Sequence, residues 1–493
     1  MIALTAATTA VAGLLQFKEL AADLSLTPAL KHANVTVATP GTPQTLLLIG
    51  SDHRAGTPWK TANTDTMMLV RLNASSRTLN LLSVPRDLRV EIPQPGGRFT
   101  GRINEAYSLG GPNLLVKILR REVFPGLHVN HIVDVNFGGF QALVNAIGCV
   151  YVDVDHRYYN NTVYTNYSSI NIQPGYQRLC GTSALAFVRF RHTDSDLVRN
   201  ARQQDFLRWV KDQFSSTDLF DNRNRLLRIF GRHTQTDPDL HSIDGLINLF
   251  NLVAFSAGHT VKQIPFPAIF LPCGSQPGAI PGAPCYLTAT QSAERRAFHE
   301  FITPTAATTK HTASPPTRAG HAAHRHRSRP SSAAAAVTAD PAAGRQQAAA
   351  LHHVGMPVYY PRVIASGSTY CLSVIGNCPV ELSSPDSYPR AYRIKDRAGR
   401  RHAAYRMTLV GNPVYGEYYG VQGTTWRTPP ILNRPTETRV VNGKRLALYL
   451  DGGKLSLVAW RTPRGVYWIS NTLTASLSRQ QMLSIAASLV RAH

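Results

Sequence analysis

The chain has 493 residues, 43% of them hydrophobic and 16% charged, so it carries enough apolar side chain for packed cores and is too long for one compact domain. Its 52 Lys plus Arg outweigh 29 Asp plus Glu, and the formal net charge of +23 favours anionic partners: nucleic acid, anionic lipid or a phosphorylated glycopolymer. No uninterrupted apolar run of about 20 residues occurs, which excludes a multi-span membrane protein.

Residues 1–17 carry no charge before Lys18 and have the size of a signal-peptide core or a short membrane anchor, although no basic residue precedes them. They read as the remnant of a signal anchor, the alternative being an ordinary buried helix, with a stalk over 18–44 and everything after Lys18 outside the membrane. A first domain spans 45–302. Strands are expected at Leu46–Gly50, Thr66–Leu72 and Thr78–Val84, the last stopped by Pro85. Helices follow at Asn104–Leu109, ended by Gly110-Gly111, and at Asn113–Val123. A strand at His131–Val135, a helix at Gly138–Ile147 with Gly148 as its C-cap, and a strand at Val150–Val154 continue the alternation of an α/β layered domain. Arg199–Phe214 is helical, helical segments reach about Ala257, and Ile264–Tyr286 reads as a strapped loop. Residues 303–355 are rich in Ala, Thr, Ser, Pro and His, too poor in large apolar side chains to offset chain entropy, and read as a flexible basic linker. Within it, His324-Arg325-His326-Arg327 reads as a solvated stretch brushing anionic wall or lipid rather than a metal site. Residues 356–493 resume a globular pattern, read as a second, smaller α+β domain of strands with a closing helix at Arg479–Arg491.

The six cysteines fall as neighbours in sequence: Cys149 with Cys180, Cys273 with Cys285, Cys371 with Cys378. Six cysteines allow 15 full pairings, so spacing leaves connectivity open. An even number outside the cytoplasm favours disulfides over buried thiols. A Cys149–Cys180 bridge would fix the entry to the segment that bears Arg189 and Arg191.

The chemistry is concentrated at strand ends of the first domain. Gly50-Ser51-Asp52-His53-Arg54 follows a buried strand, Asn63-Thr64-Asp65-Thr66 precedes the next, and Ser83-Val84-Pro85-Arg86-Asp87 ends the third. Arg189 and Arg191 alternate on an expected strand and so share a face. Arg199, Arg202 and Gln203 share a helix face. Guanidinium forks bind phosphate oxygens bidentately, and paired Asp oxygens suit a hard divalent ion, most simply Mg²⁺. The ordinary alternative for each motif alone is a surface salt bridge.

Taken together, GSDHR, NTDTMML, SVPRD, RINEAYSLGG, IVDVNFGGF, GTSALAFVRFR and DLVRNARQQ, from roughly Thr45 to Phe214, resemble the LytR-CpsA-Psr family of cell-envelope proteins. The resemblance implies a three-layer α/β/α fold and transfer of a glycopolymer, such as teichoic acid, from a polyprenyl-pyrophosphate carrier to peptidoglycan, by a membrane-anchored protein whose domains lie outside the cytoplasm. It implies that Asp52 and Asp65 serve Mg²⁺ and, with Arg86, form the catalytic set. Arg54, Arg86, Arg189, Arg191, Arg199, Arg202 and Gln203 would hold the pyrophosphate, with Asp87 and Asp196 orienting the arginines. Asn63 stands where the family usually has Arg, and Val198 where it usually has Gly. The carrier's tail needs an apolar groove, for which Phe124–Phe140 and Phe206–Phe220 are candidates. Two other function classes compete. A non-catalytic envelope protein that binds polyprenyl phosphate or wall is mildly favoured by Asn63. A transcriptional attenuator lacks any helix-turn-helix or zinc-finger pattern, and an extracytoplasmic anchor leaves no nucleic acid as partner.

Overall fold

Leu46-Leu47-Leu48-Ile49 is apolar at successive positions, so the strand it forms has to be covered on both faces. In the computed structural model, which describes residues 22–23, 27–30, 35–37, 42–53, 57–58, 60, 62–73, 78–160, 169–190, 195–256, 259–270, 286–304, 336–372, 378 and 388–492, it is an inner strand of a mixed sheet. The expected anchor at 1–17, Arg54, Arg191, Cys273, Cys285 and the stretch His324–Arg327 lie outside the described residues.

The first unit runs β1 (Gln44–Ser51), β2 (Thr64–Asn73), β3 (Thr78–Ser83), the hairpin β4 (Arg89–Gln94) and β5 (Gly97–Arg102), and α1 (Ile103–Ile118). Next come β6 (His131–Asn136), α2 (Phe137–Ala146), β7 (Val150–Val154), β8 (Tyr158–Asn160), β9 (Ile170–Ile172), β10 (Gly175–Leu179), α3 (Gly181–Arg189) and α4 (Asp196–Gln213). It ends with α5 (Ser216–Asp221), α6 (Arg223–His233), β11 (Thr234–Thr236), α7 (Ile243–Ser256), β12 (Thr260–Ile264), the ribbon β13 (Ile269–Phe270) with β14 (Leu287–Thr288), and α8 (Gln291–Ile302). The main sheet has the order β11-β6-β1-β2-β3-β12. On one face Leu47, Ile49, Met67 and Leu69 pack on Leu115 and Val116 of α1 and Phe301 of α8. On the other, Leu46 and Leu48 meet Leu249 and Leu252 of α7, and Met68 and Leu81 meet Leu207 of α4. Odd and even positions of one strand thus serve two cores, giving three α/β/α layers.

The expected stop at Gly110-Gly111 is found inside α1: both glycines leave helical geometry (φ −143° and +61°), so α1 is two helical segments joined across a kink. The end of α3 differs from expectation. Arg189 closes a helix, not a strand: the alternation in Phe187-Val188-Arg189-Phe190 mimics a strand, but Cys180 caps α3 and Ala184, Phe187 and Val188 form its buried stripe. The cysteine at that cap is bonded to Cys149, and Cys371 to Cys378.

The second unit begins inside the stretch that composition assigns to the linker. β15 (Val337–Ala339) and α9 (Pro341–Ala350) are formed there, with Asp340 accepting from the Ala343 amide at the N-cap and Pro341 in the first turn. Small residues let α9 lie close: a Cβ on Gly344 would come within 2.7 Å of the Tyr360 ring. There follow β16 (Tyr359–Tyr360), β17 (Val363–Ala365), β18 (Thr369–Tyr370), β19 (Arg390–Lys395), β20 (Arg401–Val410), β21 (Tyr418–Thr424), β22 (Glu437–Val441), β23 (Lys444–Asp451), β24 (Lys454–Thr462), β25 (Gly465–Ser470), α10 (Arg479–Ala487) and β26 (Val490–Arg491). Strands β18 to β25 form a single antiparallel sheet, with Gly452 and Gly453 in the expected hairpin turn between β23 and β24.

This sheet docks on the β7–β10 ribbon. Tyr151 and Tyr176 pack with Trp426 and Trp468. Asp153, 5% exposed, accepts from Arg406 Nη1 at 2.8 Å, from Gln422 Nε2 and from Trp468 Nε1, while Arg406 Nη2 donates to the Asp155 carbonyl. Beside it, Val198 of α4 is buried against Gly416, where φ is +62° and a Cβ would sit 2.7 Å from both Val198 methyls. The residue that departs from the family's glycine is therefore a contact between the two units.

Candidate functional site

At the ends of β1, β2 and β3 the chain gathers the expected carboxylates and guanidiniums. Arg86 Nη1 donates to Asp65 Oδ1 at 2.6 Å, and Arg189 Nε and Nη2 both reach Asp65 Oδ2 at 3.2 Å. Arg86 Nε lies 3.7 Å from Asp87 and 3.8 Å from Asp196, and Arg199 Nη2 lies 3.1 Å from Asp196. Asp52 is exposed, and its Oδ1 accepts the Asn63 amide at 2.5 Å. Asn63 Nδ2 reaches the other oxygen at 3.4 Å, a neutral donor where the family usually places a cation.

The electrostatics of Asp65 and Asp87 differ. Burial alone would raise the Asp65 carboxyl, but Arg199, Arg86 and Arg189 together hold it below its ordinary value. Asp87 is pushed up by burial and by the neighbouring Asp196 charge, against Arg86, Arg102 and Arg199. Arg199 is 1% exposed, burial lowers its proton affinity, its Nη2 is ion-paired with Asp196, and its Nε donates no hydrogen bond among the described residues. A buried fork with an unused donor is an anion site in waiting.

Two expected phosphate ligands have donors engaged by the protein itself. Arg202 has no exposed surface: Nη1 donates to the carbonyls of Phe187 and Phe190, and Nε to the Tyr158 hydroxyl. It ties the end of α3 to α4 and has no route to a ligand. The i, i+3 spacing put it on the right helix face, but one turn too far from the strand ends. Gln203 Nε2 donates to the Val188 carbonyl, and its buried Oε1 accepts nothing among the described residues.

The sequence reading missed the support beneath the cluster. Asp134 on β6 accepts from Ser51 Oγ at 2.7 Å and from the Tyr107 hydroxyl at 2.5 Å. Burial pushes its carboxyl up to about 6, despite those two donors. It fixes Ser51, the residue before Asp52. The signal was an acid inside the apolar run His131-Ile132-Val133-Asp134-Val135, which reads first as a strand and only second as a site.

Next to the cluster opens an apolar cavity of about 410 Å³ between the sheet and α2, α3, α4, α6 and α7. Asp65, Arg189 and Gln203 line it together with Phe137, Phe140 and Phe206, and the Arg189 guanidinium lies 3.8 Å over the Phe137 ring. Phe124 does not contribute, because it packs in the opposite core against Phe266 and Phe298.

The donor set fits a divalent ion only as a minority partner. Asp65 Oδ1 accepts one hydrogen bond and Oδ2 accepts two, while Asp52 is exposed and meets only the neutral Asn63, so an ion would take at most one oxygen from each carboxylate, with phosphate and water to supply the rest. Among the described residues no group of three His, Cys, Asp or Glu converges on one point.

A charged cluster beside an apolar cavity, on an α/β/α scaffold, suits an amphiphile with an anionic head and a long apolar tail. The profile of the LytR_cpsA_psr family matches residues 16–269, just over half of the chain, and this protein belongs to that family. The polyisoprenyl-teichoic acid–peptidoglycan teichoic acid transferase TagU of Oceanobacillus iheyensis is 33% identical over 210 residues, which are 41% of this chain and 61% of TagU. TagT of Bacillus subtilis, a transferase of the same description, is 30% identical over 259 residues, which are 48% of this chain and 79% of TagT. The crystal structure of Bacillus subtilis TagV aligns at 22% identity over 54% of this chain and 98% of that one, with a TM-score of 0.42. The chain spans about three fifths of the TagU relative's length, and the family match ends before α8 and the second unit.

Proposed function

We propose that this protein transfers a glycopolymer from a polyprenyl-pyrophosphate carrier to peptidoglycan. The observation that carries the reading is the shared wall: Asp65 and Arg189 belong both to the ionic cluster and to the apolar cavity, so pyrophosphate on the arginines would leave its polyprenyl tail in the cavity. A sugar hydroxyl of the acceptor attacks the polymer-proximal phosphorus. The new P–O bond replaces the bond to the bridging oxygen, which departs on polyprenyl phosphate. Arg86, Arg189 and Arg199 offset the charge that grows on that oxygen. Of the two carboxylates, Asp52 is the one suited to take the hydroxyl proton, since Asp65 is held ionised by three guanidiniums. Asp52 and Asp65 would hold Mg²⁺, whose chemistry there is charge neutralisation on the phosphate oxygens.

We place the protein at the cell membrane, anchored through 1–17, with its domains outside. Among the described residues no helix is long and apolar enough to cross a membrane.

The test is release of polyprenyl phosphate from a lipid-pyrophosphate-linked saccharide in the presence of peptidoglycan, with and without Mg²⁺. Wild type should turn over only with Mg²⁺, and Asp52→Asn and Asp65→Asn should each lose the response to the ion. Carrier that binds without release, in wild type with Mg²⁺, would favour the non-catalytic binder that neutral Asn63 beside Asp52 suggests.

A further inference from the structure

Helix α4 has a second lined face. Asp196, Arg199 and Gln203 serve the ionic cluster and the apolar cavity, whereas Leu197, Asn200, Ala201, Gln204, Asp205 and Arg208, at i, i+3, i+4, i+7, i+8 and i+11, line a separate cleft of about 330 Å³. The second unit supplies the facing wall, from Asn433–Thr436, Tyr449–Asp451 and Asn471–Ala475.

Its charges are largely spent on one another. Arg208 donates to Asp205 at 2.6 Å and lies 3.7 Å from Asp451, Gln263 Nε2 donates to Asp205, and Lys211 pairs with Asp212. The lining carries Asp153, Asp155, Asp205, Asp212 and Asp451 against Arg208, Lys211, Arg434 and Lys454, so its charges come near balance. Near balance favours an uncharged ligand held by neutral groups. Asn200 is 6% exposed, yet its Nδ2 has no hydrogen-bond partner among the described residues. Around the rim stand exposed Asn433, Thr436 and Thr474, with Trp209 and Tyr449 adding aromatic carbon to the lining. Amide donors, hydroxyls and aromatic carbon around a polar cleft match an uncharged, N-acetylated saccharide.

We propose that the cleft between α4 and the second unit binds the uncharged glycan of the acceptor, a claim that rests on the phosphotransferase reading. Asn200 directly follows Arg199, so such a glycan would lie about one helix diameter, roughly 10 Å, from the phosphate cluster. In this arrangement the second unit is half of an acceptor site.

The test is calorimetric titration of the full chain with an N-acetylglucosamine tetramer, and separately with inorganic pyrophosphate. Saturable tetramer binding should weaken about tenfold or more in Asn200→Leu, which removes the unpartnered amide, and in Asn433→Trp, which fills the rim from an exposed position. Pyrophosphate binding should be unchanged in both. Absence of tetramer binding to wild type, or equal binding by the folded Asn433→Trp variant, would overturn the cleft assignment. Failure of wild type to bind pyrophosphate would strike the phosphotransferase reading instead, which keeps the two claims separable.

Discussion

The Asp–Arg cluster between the two units and the one at the strand ends use the same ions in opposite ways. At the interface Asp153 and Arg406 are 5% and 1% exposed, and Asp153 is closed off by Arg406, Gln422 and Trp468. At the strand ends Arg199 is equally buried at 1%, yet its Nε donates no hydrogen bond among the described residues, and Asp52 stands open to solvent. A satisfied network fixes a structure, whereas an unsatisfied one keeps donors ready for a ligand. Burial does not separate the two. The count of unused donors does.

The contrast is most easily broken at the interface. Arg406→Leu strands the Asp153 charge, and we expect a loss of about 3–5 kcal/mol in urea unfolding of the full chain. A loss below about 1 kcal/mol would mean that the hub is not closed at all. Slightly smaller is the effect of opening the Cys149–Cys180 bridge, which spans a sequence separation of 31. Cys180→Ser should cost about 3–4 kcal/mol on the loop-entropy account, and adding reductant to wild type should reproduce most of it. Arg86→Ala and Arg189→Ala should do the reverse of Arg406→Leu. Transfer should fall more than roughly tenfold, about 1.5–3 kcal/mol of lost phosphate contact, while the unfolding midpoint hardly moves. Unchanged turnover in both variants would remove the strand-end cluster from the chemistry.

The last effect is one of pH and concerns Asp134, whose carboxyl is raised from 3.8 to about 6. Below pH 4 it is protonated in both folded and unfolded chains and contributes no pH dependence. Between 4 and 6 the unfolded chain releases the proton while the folded chain retains it, so stability falls as pH rises and the penalty is complete above about 6. Asp134→Asn should flatten that window. Unfolding free energies of the two proteins that run parallel from pH 4 to 7 would contradict the shift.

The strand-end residues Asp52, Asp65 and Arg86 were legible because an Asp or Arg just before or just after a short buried strand leaves the polar group at the sheet's edge. Arg189 was legible as a site residue but not as a helical one, since five residues of alternating character satisfy both periods. Arg202 shows the limit of face arithmetic: sharing a helix face with Arg199 says nothing about what covers the next turn, here Tyr158 and two carbonyls. The docking of the units left no local trace. Asp153 and Arg406 are 253 positions apart, and an acid within Val150-Tyr151-Val152-Asp153-Val154 reads only as a buried strand. The early start of the second unit was hidden because α9 is built of Ala, Gly and Gln, a composition shared with linkers.

The contact between Val198 and Gly416 makes the two units a matched pair rather than exchangeable modules. A chimera that carried this α4 on a different tail would bare an isopropyl group in the first turn of the helix that holds Arg199. One that kept this tail but placed a larger residue at 416 would drive a Cβ into that same turn, at a backbone angle that side chains resist. Grafts between relatives should therefore be cut outside both elements, so that α4 and the turn before β21 travel together.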